Sequence, residues 1–172
     1  MRIEGWVGVT AVILAMFGGV IAAEPQRCLT PLPANVNLPR DLERAITRIY
    51  DRSATFRAQC ERIAEAGNVT ITVRIDTAIP AHCRAFTVVQ RRNGRIRAEV
   101  HLPPNSDHSE LLAHEFEHVL EQIEGLDLRT LARVKGSGVR EIEYDLFETD
   151  RAQAAGRVVA VEGGGRHART AD

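Results

Sequence analysis

The sequence lacks a surplus of charge of either sign. Its 172 residues include 22 Lys and Arg against 23 Asp and Glu, which gives a formal net charge of −1. A nucleic-acid-binding domain needs basic residues concentrated in a patch or stripe, and no such concentration stands out along this chain. The charge balance therefore argues against a nucleic-acid partner.

Cysteine is scarce, and no C-x-x-C pair is present, so a cysteine zinc site or a thioredoxin-like redox site has no support. The three cysteines are Cys28, Cys60 and Cys83. In an oxidising compartment, three thiols form one bridge and leave one over. Cys60 lies late in a predicted helix and Cys83 lies just before a predicted strand, whereas Cys28 lies in a Pro-rich segment. We therefore predict a disulfide between Cys60 and Cys83.

Long apolar runs are also few, and the one that stands out extends from Val7 to Ala23. It follows a short head carrying Arg2 and precedes a Glu-Pro pair, a pattern typical of a secretory signal peptide cleaved after Ala22 or Ala23. The alternative is an uncleaved membrane anchor, because about 17 apolar residues lie at the lower limit for crossing a bilayer. We expect an exported protein, periplasmic or secreted, or one anchored to the membrane through residues 7–23.

The rest of the chain is long enough for one domain with a hydrophobic core. Residues 1–23 form the predicted signal peptide or anchor, and residues 24–39 form a Pro-rich extended lead. The predicted domain covers residues 40–162. The polar, glycine-rich tail at 163–172 is predicted to be disordered.

Hydrophobic periodicity predicts an α+β fold for this domain. Apolar residues at spacings of three and four over residues 40–66 predict one N-terminal helix or two. Alternation in NVTITVRID, RAFTVVQRR and RIRAEVHL predicts three strands, and Asn93-Gly94 between the last two predicts a tight hairpin. We expect these strands to form a small three-stranded antiparallel sheet.

The stretch NSDHSELLAHEFEHVLEQIEG predicts a further helix, with Ser106 or Asp107 as its cap and a glycine at its end. At roughly 100° per residue, His114 and His118 share one face and lie one turn apart, so both imidazoles can bind one metal ion. Glu115 is offset by about a quarter turn, which lets its carboxylate act on a metal-bound water as general base.

The H-E-x-x-H pattern in mid-helix, preceded by strands and followed by another helix, resembles the zincin-type metallopeptidases, specifically the gluzincins in a minimal-domain form. The resemblance covers most of residues 40–161, and its sharpest motif is five residues long. It implies a Zn²⁺ cofactor, a third ligand from a glutamate on the next helix, and a peptide or protein substrate hydrolysed by metal-activated water. The chain departs from the family at Glu117, where a charged residue is usually excluded.

A carboxylate has to supply the third ligand, because no histidine follows His118 at short spacing. The last helix, predicted from residue 144 or 145 to residue 161, carries Glu148 on the same face as small alanines, in a pattern that resembles the second helix of gluzincins. Glu148 is therefore the preferred ligand, although it also fits a capping box with Asp145. Glu141 is the second candidate, because its spacing to Asp145 matches the E-x-x-x-D of some relatives.

Other residues are candidates for roles beside the metal. Tyr144, Arg140 and His101 could stabilise the oxyanion of a tetrahedral intermediate, or they could simply decorate the surface or the sheet. Glu117 lies about 80° from the ligand face. We expect it either to form a salt bridge with an arginine or to hold a substrate amine or tune a bound histidine. The strand RIRAEVHL is the expected docking edge for an extended peptide.

These patterns together predict an exported zinc metallopeptidase with His114, His118 and Glu148 as ligands and Glu115 as general base. One alternative is a catalytically silent zincin-like domain of the cell envelope that binds a metal or a partner. Another is a structural envelope protein without metal, which requires Glu148 to lie far from the histidines. The cleavage preference and the oligomeric state do not follow from the sequence.

Overall fold

The structure, a computed structural model, describes residues 32–164. The predictions for the signal peptide or anchor, for Cys28 and for the tail beyond residue 164 lie outside the described residues. Among the residues that are described, no helix has both the length and the apolar character needed to cross a bilayer.

The described residues form an α+β fold with five helices and two small sheets. The helices are α1 Arg40–Arg52, α2 Ala54–Glu65, α3 His108–Ile123, α4 Leu128–Leu131 and α5 Asp150–Glu162. The strands are β1 Val36–Asn37, β2 Val69–Ile75, β3 Phe86–Arg92, β4 Arg95–Leu102, β5 Val139–Glu143 and β6 Leu146–Thr149. The predicted α+β class is confirmed, and the segment at 40–66 holds two helices.

The larger sheet has the strand order β1-β2-β4-β3. Strand β4 pairs in parallel with β2 and antiparallel with β3, and β1 pairs in parallel with β2. The prediction of a three-stranded antiparallel sheet is therefore wrong, because the sheet is four-stranded and mixed. Alternation places the same side chains in the core whichever way a strand runs, so it could not distinguish the two arrangements. Strand β4 is also paired on both sides, which excludes it as the docking edge; β3 lies at the edge instead.

One face of this sheet packs against helices α1, α2 and α3 to form the core. Phe56 of α2 and Phe116 of α3 are fully buried there, with ring centroids 5.6 Å apart. The buried strand residues beneath the helices are Val69, Ile71, Val73, Ile96, Ala98, Val100 and Leu102. This packing fixes the rotation of α3 about its axis, and with it the direction of the histidine face.

The segment before the last helix folds differently from the prediction. Residues 139–149 form a hairpin of β5 and β6, and α5 begins only at Asp150 with Thr149 as its N-cap. At the hairpin turn Asp145 has a φ of 60°, which an α-helix cannot accommodate. Aspartate tolerates this left-handed conformation better than most residues, so the turn forms without glycine. Glu148 therefore lies on a strand, and the predicted helix start at residue 144 or 145 is wrong.

Helix α5 packs closely on α3 through Gly156. A Cβ at this position would lie 2.9 Å from the backbone oxygen of Glu110 and 3.2 Å from Cβ of His114. One turn earlier, Ala152 is fully buried. The approach of the two helices at the level of His114 thus depends on the missing side chain of Gly156.

Gly156→Ala should lower the free energy of unfolding by about 1–3 kcal/mol, the usual cost of overpacking. This is opposite to the ~1 kcal/mol that alanine gains over glycine in an unhindered helix. Urea denaturation followed by circular dichroism measures the difference. Gly67→Ala is the matched control, since a Cβ there meets no atom within 4 Å and φ is not positive. A Gly156→Ala protein as stable as wild type would contradict the close helix contact.

Candidate metal centre

His114 and His118 project from one face of α3 into a cleft. Their Nε2 atoms are 3.2 Å apart, and the rings meet edge to face. Both side chains are largely buried, with 19% and 14% of their surface exposed. The helical spacing of HEFEH thus places the two imidazole nitrogens toward a common point, as the sequence predicts.

Glu148 reaches the same point from β6. Its Oε1 atom lies 3.4 Å from Nε2 of His114 and 3.8 Å from Nε2 of His118. A tetrahedral ion with bonds of about 2.0–2.1 Å holds its ligand atoms about 3.3–3.4 Å apart. Two imidazole nitrogens and one carboxylate oxygen at these separations could hold a metal ion. The structure thus brings the preferred third residue to the histidines, although from a strand and not from a helix.

A second carboxylate, Glu121, fixes the orientation of His118. Glu121 is 1% exposed, and its Oε2 atom lies 2.9 Å from Nδ1 of His118. Its Oε1 atom accepts a hydrogen bond from Oγ1 of Thr149 at 2.6 Å. An ionised carboxylate only accepts, so the imidazole proton belongs on Nδ1 and the lone pair of Nε2 faces the metal position. Sequence reasoning missed Glu121, although its place three residues after His118 on the same helix was a usable signal.

Protonation of the two histidines is set by burial and by Glu121. Burial lowers the pKa of His114, and the neighbouring His118 lowers it further, which favours the neutral form that a metal ligand requires. Burial is the largest influence on His118 and would lower its pKa, but the hydrogen bond with Glu121 and the negative charges of Glu115, Glu121 and Glu148 together raise it. For Glu121, burial would raise the pKa, but the bonds from His118 and Thr149 lower it.

Glu115 lies beside the histidines and is 3% exposed. Oγ1 of Thr87, on β3, donates a hydrogen bond of 2.7 Å to its Oε2 atom. Burial raises the pKa of Glu115 to about 7. A carboxyl group with a pKa near neutrality can both take up and release a proton at working pH, which suits general acid–base chemistry.

The cleft has a volume of about 790 Å³. Its lining includes His114, His118 and Glu148, together with Glu115 and Thr87. Ligand pockets commonly fall between about 300 and 1,000 Å³. Besides α3 and α5, the lining comes from β3 and the residues before it, from the β5–β6 hairpin and from the segment around α4. The apolar lining residues are Ala85, Phe86, Val89, Leu111, Leu126, Leu128, Ile142, Leu146 and Phe147. His82, which lines the cleft, contacts Glu143 of β5, with Nε2 and Oε2 2.9 Å apart.

The other candidates on the hairpin are not part of the ligand triangle. Tyr144 is 82% exposed, and the guanidinium of Arg129 lies over its ring at 5.6 Å. Arg140 donates to Asp150 at 2.5 Å. Glu141 is exposed and accepts a hydrogen bond from a backbone amide of the hairpin turn. The structure therefore places Glu148, and not Glu141, with the histidines.

His101 also lies apart from the ligand triangle. Its Nδ1 atom is 2.9 Å from Oδ2 of Asp76, and its ring stacks on Phe86 with centroids 4.4 Å apart. These contacts hold the His101 side chain against its neighbours on the sheet. They give His101 partners other than a substrate.

Glu117 forms the salt bridge with arginine that was one of its two expected roles. It is 5% exposed and accepts hydrogen bonds from Nε of Arg151 at 2.5 Å and from Nε2 of Gln59 at 2.6 Å. Nη1 of Arg62 lies 3.7 Å away. Glu117 is not among the residues that line the cleft. The unusual acid of HEFEH thus joins α2, α3 and α5 behind the metal position.

Within residues 32–164, Cys60 and Cys83 form no disulfide, so the predicted bridge between them is not formed. Cys60 faces the core between the helices and the sheet, whereas Cys83 lines the cleft. Their places at the end of a helix and before a strand were compatible with pairing, but the two side chains belong to different regions. Burial raises the pKa of Cys60 to about 12, which makes it an inert core thiol.

The sequence and the site geometry are the only basis for assigning a function, because comparison with known proteins adds nothing to them. Comparisons with protein families, with curated proteins and with solved structures find no match for this chain.

Proposed function

We propose that the protein is a zinc-dependent hydrolase of peptide bonds, similar to minimal gluzincins. The observation that carries this proposal is the convergence of His114 Nε2, His118 Nε2 and Glu148 Oε1 in a cleft, next to the buried carboxyl of Glu115. Two histidines and one glutamate are the ligands of one group of catalytic zinc sites, which keep a further position open for water or substrate.

When bound, Zn²⁺ would act as a Lewis acid and lower the pKa of a water molecule toward neutrality. Glu115 then serves as general base, taking a proton from the attacking water on a carboxylate oxygen and passing it to the leaving amine nitrogen. The hydrogen bond from Thr87 holds this carboxylate in place. Its raised pKa keeps both protonation states accessible near neutral pH.

An extended peptide fits best along β3. This strand pairs only with β4 among the described residues, so its second edge offers main-chain donors and acceptors. Phe86, Thr87 and Val89 of β3 line the cleft. Addition of a strand to a free sheet edge is a general mode of peptide binding. We also propose that the enzyme is exported, which rests on the sequence of residues 1–23.

Metal analysis combined with a protease assay tests the proposed function. The purified protein should retain about one zinc ion per chain and hydrolyse casein; a chelator should abolish hydrolysis, and added Zn²⁺ should restore it. A variant with both His114→Ala and His118→Ala, prepared in the same way, controls for contaminating proteases. Zinc without hydrolysis would support the catalytically silent domain instead. Absence of zinc, or iron in its place, would contradict the proposal.

A further inference from the structure

We propose that Thr149 is a positioning residue that couples the second histidine ligand to the carboxylate ligand. This inference rests on the proposed function, because it takes His118 and Glu148 to bind the same zinc ion. Thr149 lies between them in the network of contacts, although it does not reach the metal position itself.

The hydroxyl group of Thr149 has two defined partners. It donates its single proton to Oε1 of Glu121 at 2.6 Å, and it accepts a hydrogen bond from the backbone nitrogen of Ala152 at 3.0 Å. Thr149 is 2% exposed and Glu121 is 1% exposed. One buried oxygen therefore caps α5 and, at the same time, binds the carboxylate that orients His118.

The consequence for His118 follows from the two oxygens of Glu121. One of them contacts Nδ1 of His118 and the other contacts Thr149. If the hydroxyl were removed, a buried carboxylate oxygen would lose its donor, which is costly because little water can reach it. The carboxylate would then turn toward another donor, and its hold on the imidazole would weaken.

The consequence for Glu148 follows from the chain itself. Glu148 immediately precedes Thr149, whose backbone nitrogen donates to Oε1 of Glu148 at 2.8 Å. As N-cap, Thr149 is where the extended backbone of β6 turns into α5, with φ −128° and ψ 144°. The cap thus fixes the residue next to the ligand, and the hydroxyl ties that same residue to α3.

A zinc-affinity series with three variants of Thr149 tests the coupling. Thr149→Ser keeps both the donor and the cap. Thr149→Val loses both. Thr149→Asp keeps an effective N-cap, but at pH 8 it places a second carboxylate against Glu121 instead of a donor. If the valine variant fails to fold, Thr149→Asp therefore still tests the loss of the donor.

Ser53→Ala is the matched control, because Ser53 is the N-cap of α2 and also donates to a carboxylate, that of Glu162 at the other end of α5. Its hydroxyl accepts from the backbone nitrogen of Phe56 at 2.9 Å and donates to Oε2 of Glu162 at 2.5 Å. Glu162 and Thr149 are separated by roughly 20 Å of helix. Loss of this cap should lower the melting temperature without changing the metal site.

Zinc affinity is measured by competition with a chelator on folded protein, and the visible spectrum of the Co²⁺-loaded protein reports the coordination geometry. Thr149→Val and Thr149→Asp should weaken zinc binding by at least about tenfold and alter the Co²⁺ spectrum. Thr149→Ser and Ser53→Ala should leave both readouts close to wild type. Wild-type affinity in the valine or aspartate variant would overturn the inference, as would an equal loss in Ser53→Ala.

The result also separates this inference from the proposed function. Zinc binding by wild type without casein hydrolysis would refute the catalytic proposal, while a Thr149-dependent affinity would still support the coupling. Hydrolysis that persists together with wild-type affinity in the valine variant would refute only the coupling. Absence of zinc from the wild-type protein would overturn both.

Discussion

Glu148→Gln should remove zinc from the purified protein and lower its zinc affinity by at least about a hundredfold. Structural zinc sites gain roughly 10–16 kcal/mol from their full ligand set, so the loss of one anionic ligand costs several kcal/mol. The glutamine amide keeps the size of the side chain but removes the negative charge that lies 3.4 Å from Nε2 of His114. Metal content after gel filtration and chelator competition measure the loss.

Glu141→Gln is the control for this experiment, because it removes an exposed carboxylate from the same hairpin. Among residues 32–164, the one hydrogen bond that its carboxylate accepts comes from the backbone nitrogen of Asp145 at 3.3 Å. We expect this variant to keep its zinc. Zinc loss in Glu141→Gln with retention in Glu148→Gln would reverse the assignment of the third ligand.

Glu115→Gln should lower the rate of casein hydrolysis by about 10²–10⁴-fold, the usual contribution of a general base, while zinc content stays at the wild-type level. Glutamine preserves the shape of the side chain and an acceptor for the hydroxyl of Thr87, but it cannot take up the proton. Zinc analysis and hydrolysis on the same preparation provide the comparison. Loss of zinc together with activity would show that Glu115 belongs to the ligand set and is not the base.

The same substitution should change how stability depends on pH in the metal-free protein. The pKa of Glu115 is about 7 in the fold, against 4.5 for an ordinary glutamate. As pH rises between these values, the unfolded chain releases this proton while the folded chain keeps it, so stability falls across the window. By pH 8, ionisation of the buried Glu115 lowers the free energy of unfolding by up to ~3 kcal/mol. Glu115→Gln removes that cost.

Urea denaturation in the presence of a chelator at pH 5 and at pH 8 measures this difference. The glutamine variant should exceed wild type in stability at pH 8 and lie close to it at pH 5. An equal difference at the two pH values would mean that ionisation of Glu115 does not oppose folding.

The part of the site that lies on one helix could be predicted from sequence, because helical periodicity fixes relative directions within an element. It places His114 and His118 together and sets Glu115 beside them. Glu148 was identified through its resemblance to a helical pattern, yet it reaches the histidines from β6. The hairpin depends on the left-handed turn at Asp145, which no glycine marked.

The parts that could not be predicted depend on contacts between elements. The direction in which β2 and β4 run relative to each other is decided by the connection between them, and the alternating pattern carries no information about it. The second carboxylate oxygen of Glu121 accepts a hydrogen bond from Thr149, which belongs to a different element. Periodicity could suggest that Glu121 lies near His118, but it could not identify the hydroxyl that holds it.

The position of β3 at the edge of the sheet has a consequence for association between copies of the protein. A strand edge that can receive a peptide is also open to the same strand of another molecule, which is a route to aggregation. The end of β3 carries Gln90, Arg91 and Arg92, and all three are exposed. Charged side chains on an edge disfavour such pairing, so they confine the accessible edge to the Phe86–Val89 half that lines the cleft. The exposed end of β3 thus disfavours continuous pairing with its own copy, while the other half of the strand stays available for the extended peptide of the proposed function.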